Sequence, residues 1–367
     1  MRRDSRPFGE CRHPCRQGSK FDRCVKRLRQ GLIGTGPAGL IHGPNLERAA
    51  FAPLCSLVVV LAIAPLGPPA LGQALIPLID DVAFDRGLRV WSPIAGRKTA
   101  TGALASSAGP PDPVWGLAQW HSRFDLGGAH AVDRDGWHRF FDGAKSVAFA
   151  TGDRAPTLSL GVDADTEYQG RVPEQGDPWP HLLVERDLVS TPSLSELIAV
   201  PFAVQLKLAR AEAMHRDGWN PRRHTAQFVC YLVVRNANRE SAGFGDYYWF
   251  GMVLYDTRSP APEEQSMIDR GTARKSGTEK FIHQMPYSAL ATESVHSGKW
   301  VHVQGDFLPH IRKGLEAAWS AGLLEKSREW SDYRLEAMNM GWEVTGPLNV
   351  TMEICGLSLH AEVSSAR

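Results

Sequence analysis

The sequence predicts an all-β protein: an antiparallel β-sandwich of jelly-roll type with one amphipathic helix. From Val114 onward, segment after segment alternates apolar and polar residues with a period of two, which is typical of strands with one buried face. Turn-forming residues separate these segments, and no regular alternation of strands with helices indicates a parallel βαβ sheet. A single stretch, about residues 309–324, repeats its apolar residues at helical spacing.

Each predicted strand places its apolar residues on one face, and these faces should fill the space between two sheets. In one of them, Phe228, Cys230 and Leu232 alternate with Gln227 and Tyr231. A glycine within the last strand predicts a β-bulge at position 356. The predicted strands cover residues 114–126, 182–188, 202–208, 228–235, 247–255, 300–304, 338–344 and 349–362.

The helix prediction rests on the apolar residues Leu308, Ile311, Leu315 and Trp319, which share one face of a 3.6-residue turn. Pro309 is suited to the first turn of a helix because it lacks the amide proton that would remain unpaired there. We therefore expect one helix packed against the sandwich.

The N-terminal part predicts export. An apolar core from Phe51 to Ala64 follows basic residues such as Arg48 and ends in Gly72-Gln-Ala74, which is the pattern of a cleavable secretory signal. Cleavage near Ala74 would leave a secreted or periplasmic protein. The predicted organisation is a basic unstructured leader over 1–50, a signal peptide over 51–74, an extended segment and loop over 75–113, and the sandwich over 114–367.

Composition excludes several classes of function. Lys and Arg number 41 and Asp and Glu number 40, so the net charge of +1 provides no global field for nucleic acid. Hydrophobic residues make up 43% of the chain, which is enough for a core. No long apolar run follows the signal segment, so we expect no integral membrane span.

Two cysteines fall within predicted strands, Cys230 and Cys355. In an oxidising compartment a disulfide between two strands is one interpretation, and two separately buried thiols are the other. Both fit the sequence equally well.

Metal and nucleophile motifs are sparse. Asp163, Asp165 and Glu167 alternate, so they either share a solvated strand face or lie in a loop with the oxygen ligands that Ca²⁺ prefers. No paired-histidine metal motif, phosphate loop, dinucleotide fingerprint or nucleophile elbow occurs in the sequence. A calcium site is therefore one open interpretation, and no other metal site or cofactor is predicted.

The polar side of the predicted strands has an unusual composition. It is rich in aromatic, histidine, amide and arginine side chains and contains hardly any lysine, unlike an ordinary solvated face. Aromatic rings stack on the C–H faces of sugars, and planar polar groups form paired hydrogen bonds with hydroxyls. Burial of these rings under loops is the structural alternative. The predicted ligand-binding residues are Arg123, Asp125, His181, Gln227, Arg235, Tyr247, Trp249 and Tyr255.

The C-terminal third carries a resemblance at the level of pattern. The segments 247–258, 300–306 and 341–354 resemble closing strands of secreted, carbohydrate-binding-like jelly-roll β-sandwiches. Glu185-x-Asp187 is similar to the paired acids of laminarinase-like glycosidases, except that Ser190 stands where their second glutamate follows. The resemblance implies a sandwich and contact with glycans, and it implies no catalytic residue.

Three hypotheses follow for the function. The first is a secreted glycan-binding protein. The second is a polysaccharide-active hydrolase or lyase on the same face, in which Glu185 and Glu343 form an acid/base pair, or Tyr231 and His121 abstract a proton while Arg123 or Arg235 holds a carboxylate. The third is a structural envelope protein without a ligand.

Overall fold

The protein is described here by a computed structural model, which covers residues 73–106, 112–151, 157–189, 191–272 and 275–364. The predicted leader, and the predicted signal peptide up to residue 72, lie outside the described residues. No helix among the residues covered is both long and apolar enough to cross a membrane.

Within these residues the chain forms twenty strands and two α-helices. In chain order they are Gln73–Pro77 (β1), Leu88–Trp91 (β2), Ala100–Leu104 (β3), Trp115–Ala118 (β4), Val132–Arg134 (β5), Trp137–Phe141 (β6), Lys145–Ala150 (β7), Thr157–Asp163 (β8), Ala164–Glu167 (α1), His181–Asp187 (β9), Leu197–Ala199 (β10), Pro201–Ala213 (β11), Ala226–Asn236 (β12), Tyr247–Asp256 (β13), Gln265–Ile268 (β14), Gly271–Thr272 (β15), Lys275–Ser276 (β16), Phe281–Met285 (β17), Val301–Asp306 (β18), Leu308–Ser320 (α2), Tyr333–Val344 (β19) and Leu348–Ser364 (β20).

Two nine-stranded sheets form the sandwich. Sheet I has the order β14-β17-β13-β12-β19-β9-β4-β2-β3. Sheet II has the order β18-β11-β20-β8-β7-β6-β5, and β1 and β10 also pair with its long strand β20. Neighbouring strands are antiparallel except for the pairs β13–β17 and β2–β4 in sheet I. The predicted all-β sandwich is confirmed.

The core fills the space between the sheets with the apolar residues that the alternation predicts. Phe228, Cys230 and Leu232 of β12 are fully buried there. Trp342 of β19 reaches across and donates its indole N–H to the carbonyl of Leu160 in sheet II at 2.9 Å. The alternation of β12 therefore leaves Gln227 and Tyr231 on the side of sheet I that faces away from the core.

The segment before residue 114 belongs to the sandwich as well. Its strands β2 and β3 lie at one edge of sheet I, and β1 pairs with β20. Strands of both sheets therefore occur within residues 73–104, ahead of residue 114, because short period-two stretches such as Leu88–Trp91 provide only a weak signal in the sequence.

The last strand bends where the sequence predicts. Gly356 has φ = 61°, and the register between β11 and β20 shifts next to it.

The two cysteines, Cys230 and Cys355, lie in different sheets, and both are free thiols. Of the two interpretations of this pair, the structure contains the separate thiols.

The predicted helix is α2, which begins one residue earlier and ends four residues earlier than expected. Its apolar face, with Leu308, Ile311 and Leu315, is buried against the core. Gly314 brings the helix close to the imidazole of His283, so that a Cβ at this glycine would lie 2.9 Å from the ring. The helix therefore closes the end of the sandwich at β17.

Burial of His283 predicts a pH-dependent stability. Burial lowers the pKa of this histidine, an effect that Glu264 opposes and that Lys313 and His310 reinforce. Because the unfolded chain binds the proton more readily, with a pKa near ~6.5, the free energy of unfolding should fall as the pH drops below that value. Urea denaturation at about pH 7.5 and about pH 5.5 measures this loss.

We expect His283→Gln to lose less stability over this pH interval than the wild type. The control is His302→Gln, which removes an exposed histidine and should leave the pH dependence unchanged. An equal loss in the wild type and in His283→Gln would contradict the assignment.

Candidate functional site

The outer face of sheet I, the side turned away from the core, is built on a floor of small and apolar residues. One row across the strands consists of Ala118, Leu183, Gly341, Val229 and Val253, in that order. The four side chains of this row form a separate hydrophobic cluster outside the main core. They give the face a flat apolar base.

A second row, two residues further along the strands, carries the polar groups. It runs through Glu185, Asn339, Tyr231, Gly251 and Gln284, which are Cα partners on five neighbouring strands. Because side chains at partnered positions of a sheet point to the same side, these groups lie next to one another. We call this set the polar row.

The Tyr231 hydroxyl accepts a hydrogen bond in the polar row. The Gln265 side chain donates to the side-chain oxygen of Gln284, and Gln284 donates to the Tyr231 hydroxyl oxygen. Burial raises the pKa of Tyr231 well above its ordinary value, so the phenol keeps its proton. A phenol that already accepts from Gln284 is oriented to donate its own proton to a third group.

Asn339 presents an acceptor beside that donor. Its side chain is only 8% exposed, and its Oδ1 atom has no hydrogen-bond partner among the described residues. A buried acceptor without a partner costs about 1–3 kcal/mol, so folded proteins rarely retain one without a reason. A ligand hydroxyl between Tyr231 and Asn339 would satisfy both side chains.

Glu185 closes the other end of the polar row. Its Oε1 atom accepts the indole N–H of Trp91 at 2.7 Å and lies 2.8 Å from the ammonium of Lys98. Trp91 can reach it because Gly116 has no side chain; a Cβ there would lie 2.3 Å from the indole nitrogen. The carboxylate is thus fixed in place and accepts hydrogen bonds.

Aromatic rings extend the face along β13. Trp249 is half-buried on the outer face, and its ring lies 6.2 Å from Tyr231 and 5.9 Å from Tyr247. The Arg235 guanidinium and the Lys280 ammonium lie 4.9 and 4.7 Å from the Tyr247 ring. Trp249 therefore offers the stacking surface, and Tyr247 anchors two cations.

The opposite end of the face carries histidines. His181 is buried, its Nδ1 atom lies 2.9 Å from the carbonyl of Trp179, and its Nε2 atom lies 3.9 Å from Glu343. The His121 ring packs 5.7 Å from that of His181. On β12, which pairs with the strand of Glu343, the side-chain amide of Gln227 donates to the carboxylate of Asp256 at 2.7 Å.

Three predicted ligand-binding residues lie elsewhere. Tyr255 faces the core and packs 5.7 Å from Trp342, because a bulge in β13 reverses the alternation before it. Asp125 caps a 3-10 turn and accepts the side-chain amide of Gln119 at 2.6 Å. Arg123 lies in the same loop, where its backbone N–H donates to Glu167 at 2.9 Å.

The loop arises because strand β4 ends at Ala118, whereas the sequence predicts a strand as far as Leu126. His121 has φ = 60° in a turn, so strand alternation does not apply to it. This turn brings His121 to the histidine end of the face and leaves Arg123 away from the polar row.

In each of the two catalytic pairs of the enzyme hypothesis, the two residues lie far apart along the strands. Glu343 is the Cα partner of His181, four residues from Glu185 on the same strand. Four residues separate the Cα positions of the two acids by about 13 Å along the strand, whereas the carboxyl groups of paired acids in glycosidases lie about 5–10 Å apart. Tyr231 lies at the level of Glu185 and His121 packs at the level of Glu343, so the second pair is similarly separated.

The three acidic residues considered for Ca²⁺ have separate partners. Asp163 caps helix α1, Asp165 pairs with Arg216, and Glu167 is buried beside Lys145. In the part of the chain that the structure describes, no group of three or more His, Cys, Asp or Glu side chains is arranged to hold a metal ion.

Trp91, Lys98 and Gln284 are not among the residues predicted for the site, and Asn339 is predicted only as part of the polar side of its strand. The alternation of their strands marks Asn339 and Gln284 as outward-facing. This pattern is the sequence signal that could have identified both residues as members of the site. Trp91 reaches Glu185 from the end of the short strand β2, and Lys98 reaches it from the loop that follows this strand. Only the fold shows this approach.

Comparisons with known proteins find similar structures among cellulases, xylanases and xyloglucanases of very different sequence. No protein-family model matches the chain, and no curated protein matches it. Solved structures similar to it include the family 12 xyloglucanase of Bacillus licheniformis, with 9% identity, a TM-score of 0.35, and coverage of 65% of this chain and 99% of that one. An endoglucanase of Rhodothermus marinus has 8% identity, a TM-score of 0.32, and coverage of 67% and 98%. The xyloglucanase domain of a Sinorhizobium fredii effector, in complex with cellobiose, has 10% identity, a TM-score of 0.32, and coverage of 65% and 98%. At such low sequence identities and TM-scores, no activity or residue role transfers to this chain.

Proposed function

We propose that this protein binds a carbohydrate on the outer face of sheet I. The observation that carries the proposal is the unpartnered Oδ1 atom of Asn339, held between the donor Tyr231 and the acceptor Glu185. A hydroxyl both donates and accepts, so one hydroxyl matches the Asn339–Tyr231 pair and its neighbour on a sugar ring matches Glu185. Trp249 adds an aromatic surface for the C–H face of a neighbouring unit.

Binding is favoured over catalysis on the same face. The wide spacing of both catalytic pairs argues against hydrolysis or elimination through them. Tyr231 is held as a protonated donor, which suits recognition and does not suit proton abstraction. A binding protein needs no further groups than those in the polar row. Export to a secreted or periplasmic location, where polysaccharides are met, belongs to this proposal.

The test separates binding from stability at one residue. Asn339→Leu removes the unpartnered oxygen and nearly conserves volume, so the free energy of unfolding should stay the same or rise. Carbohydrate affinity should fall about 5- to 150-fold, which corresponds to about 1–3 kcal/mol. A glycan array with the full chain selects the ligand, and calorimetric titration with that oligosaccharide measures the loss.

The matched control is Asn349→Leu in sheet II, where the Asn349 side-chain oxygen accepts the backbone N–H of Asp165 at 3.2 Å. It should lower stability and leave affinity unchanged. The proposal is wrong if no glycan binds the wild type, or if Asn339→Leu binds as tightly as the wild type. Release of reducing or unsaturated ends from a bound glycan would favour the enzyme hypothesis.

A further inference from the structure

A groove opens at the start of β13, beside the aromatic rings. Its volume is about 370 Å³, within the range of about 300–1,000 Å³ that is usual for small-molecule sites. Three segments form it: the start of β13, the residues leading into β17, and the turn that follows helix α2. Its lining includes Asp246, Tyr247, Glu279, Lys280, Leu324 and Lys326.

Two of the residues that line the groove have strained backbones. Glu279 and Leu324 each have φ = 55°, in the left-handed region that residues other than glycine rarely adopt. Such a conformation costs about 1–3 kcal/mol, and residues of this kind cluster at ligand sites. Both strained residues lie in segments that shape this one groove.

Tyr247 connects the groove with the proposed carbohydrate site. Tyr247 lines the groove and also belongs to the outer face, where its ring contacts Trp249. Gly251, in the polar row, lies four residues from Tyr247 along β13, or about 13 Å. One sugar ring is too small to reach from the polar row into the groove, whereas a chain of several units can do so.

The groove carries charges of both signs. Lys280 and Lys326 face Asp246, Glu279 and Glu325, and Lys326 lies 3.5 Å from Asp246. The charges nearly cancel, so the groove offers many donors and acceptors without a strong field for an ion. This combination suits the hydroxyls of a neutral sugar.

We propose that the groove is a second subsite of the same carbohydrate site, and that the ligand is a neutral oligosaccharide running along β12 and β13 from the polar row into the groove. This inference rests on the proposed function. The path contacts Tyr231, Trp249, Tyr247 and finally Lys326. Ligand length, rather than one terminal sugar, then determines affinity.

The test is a length series. The full chain is titrated with cello-, xylo- and laminari-oligosaccharides from disaccharide to hexasaccharide. In the series that binds, we expect affinity to rise at least tenfold from the disaccharide to the hexasaccharide. The double variant Lys280→Ala/Lys326→Ala should bind the hexasaccharide about as weakly as the disaccharide, with unchanged affinity for the disaccharide.

The control Lys299→Ala removes an exposed lysine that does not line the groove, and it should behave like the wild type. Equal affinity at every length, or a double variant that binds the hexasaccharide as the wild type does, would overturn the subsite while leaving the proposed function intact. No binding to any of the three series, combined with binding of a charged glycan, would overturn the neutral ligand class. No binding to any glycan would overturn both proposals.

Discussion

Replacing Lys145 by methionine is expected to lower the free energy of unfolding by about 3–5 kcal/mol. The Lys145 side chain is fully buried, with its ammonium 2.7 Å from Asp142 and 3.5 Å from Glu167, and both carboxylates are at most 5% exposed. The ammonium also donates to the carbonyl of Phe124 at 3.0 Å and to the hydroxyl of Ser122. Methionine preserves most of the volume and leaves two buried carboxylates without their cation.

Chemical denaturation of the two proteins measures the difference. The control Lys207→Met removes a partly exposed lysine that lies 3.3 Å from Glu353, and it should cost at most about 1 kcal/mol. Similar effects of the two substitutions would show that the buried cluster contributes no more than a surface ion pair.

The Lys145 cluster also explains why part of the face could not be predicted from sequence. It binds Ser122, and Glu167 binds the backbone of Arg123, so the chain turns away after Ala118 instead of continuing as a strand. These partners lie more than twenty residues apart along the chain. Period-two alternation reports only the local environment and cannot contain such contacts.

Where strands are long, the alternation predicted the structure well. In β12 and β19 it placed Tyr231 and Glu343 on the outer face and Cys230 and Trp342 in the core. It failed at Tyr255, because one extra residue in β13 reverses every side chain beyond it. A bulge of this kind has no reliable mark in a single sequence.

Gly251 makes room for the ring of Tyr231. A Cβ at this glycine would lie 2.2 Å from the Tyr231 ring, so the ring occupies the space above the glycine. The glycine thus lets Tyr231 lie flat across β13, where its hydroxyl meets Gln284.

Replacing Gly341 by alanine is expected to destabilise the protein by at least about 3 kcal/mol, since a strained backbone and a clash with main-chain atoms add together. Gly341 lies in the middle of sheet I, in the floor row between Leu183 and Val229. Its φ is 154°, and a Cβ would lie 2.1 Å from the carbonyl oxygen of Leu182. The neighbouring strand cannot give way without breaking its pairing under the polar row.

Two control glycines separate the sources of this cost. Gly96 has φ = 75° and open space around it, so Gly96→Ala should cost about 1–2 kcal/mol of stability from the backbone alone. Gly128 lies in open space with an ordinary φ, so Gly128→Ala should change stability by at most about 0.5 kcal/mol. The expected order in chemical denaturation is therefore Gly341, then Gly96, then Gly128. If Gly341→Ala were no worse than Gly96→Ala, strands β9 and β19 would not approach as closely as described, and the floor beneath Asn339 would have a different shape.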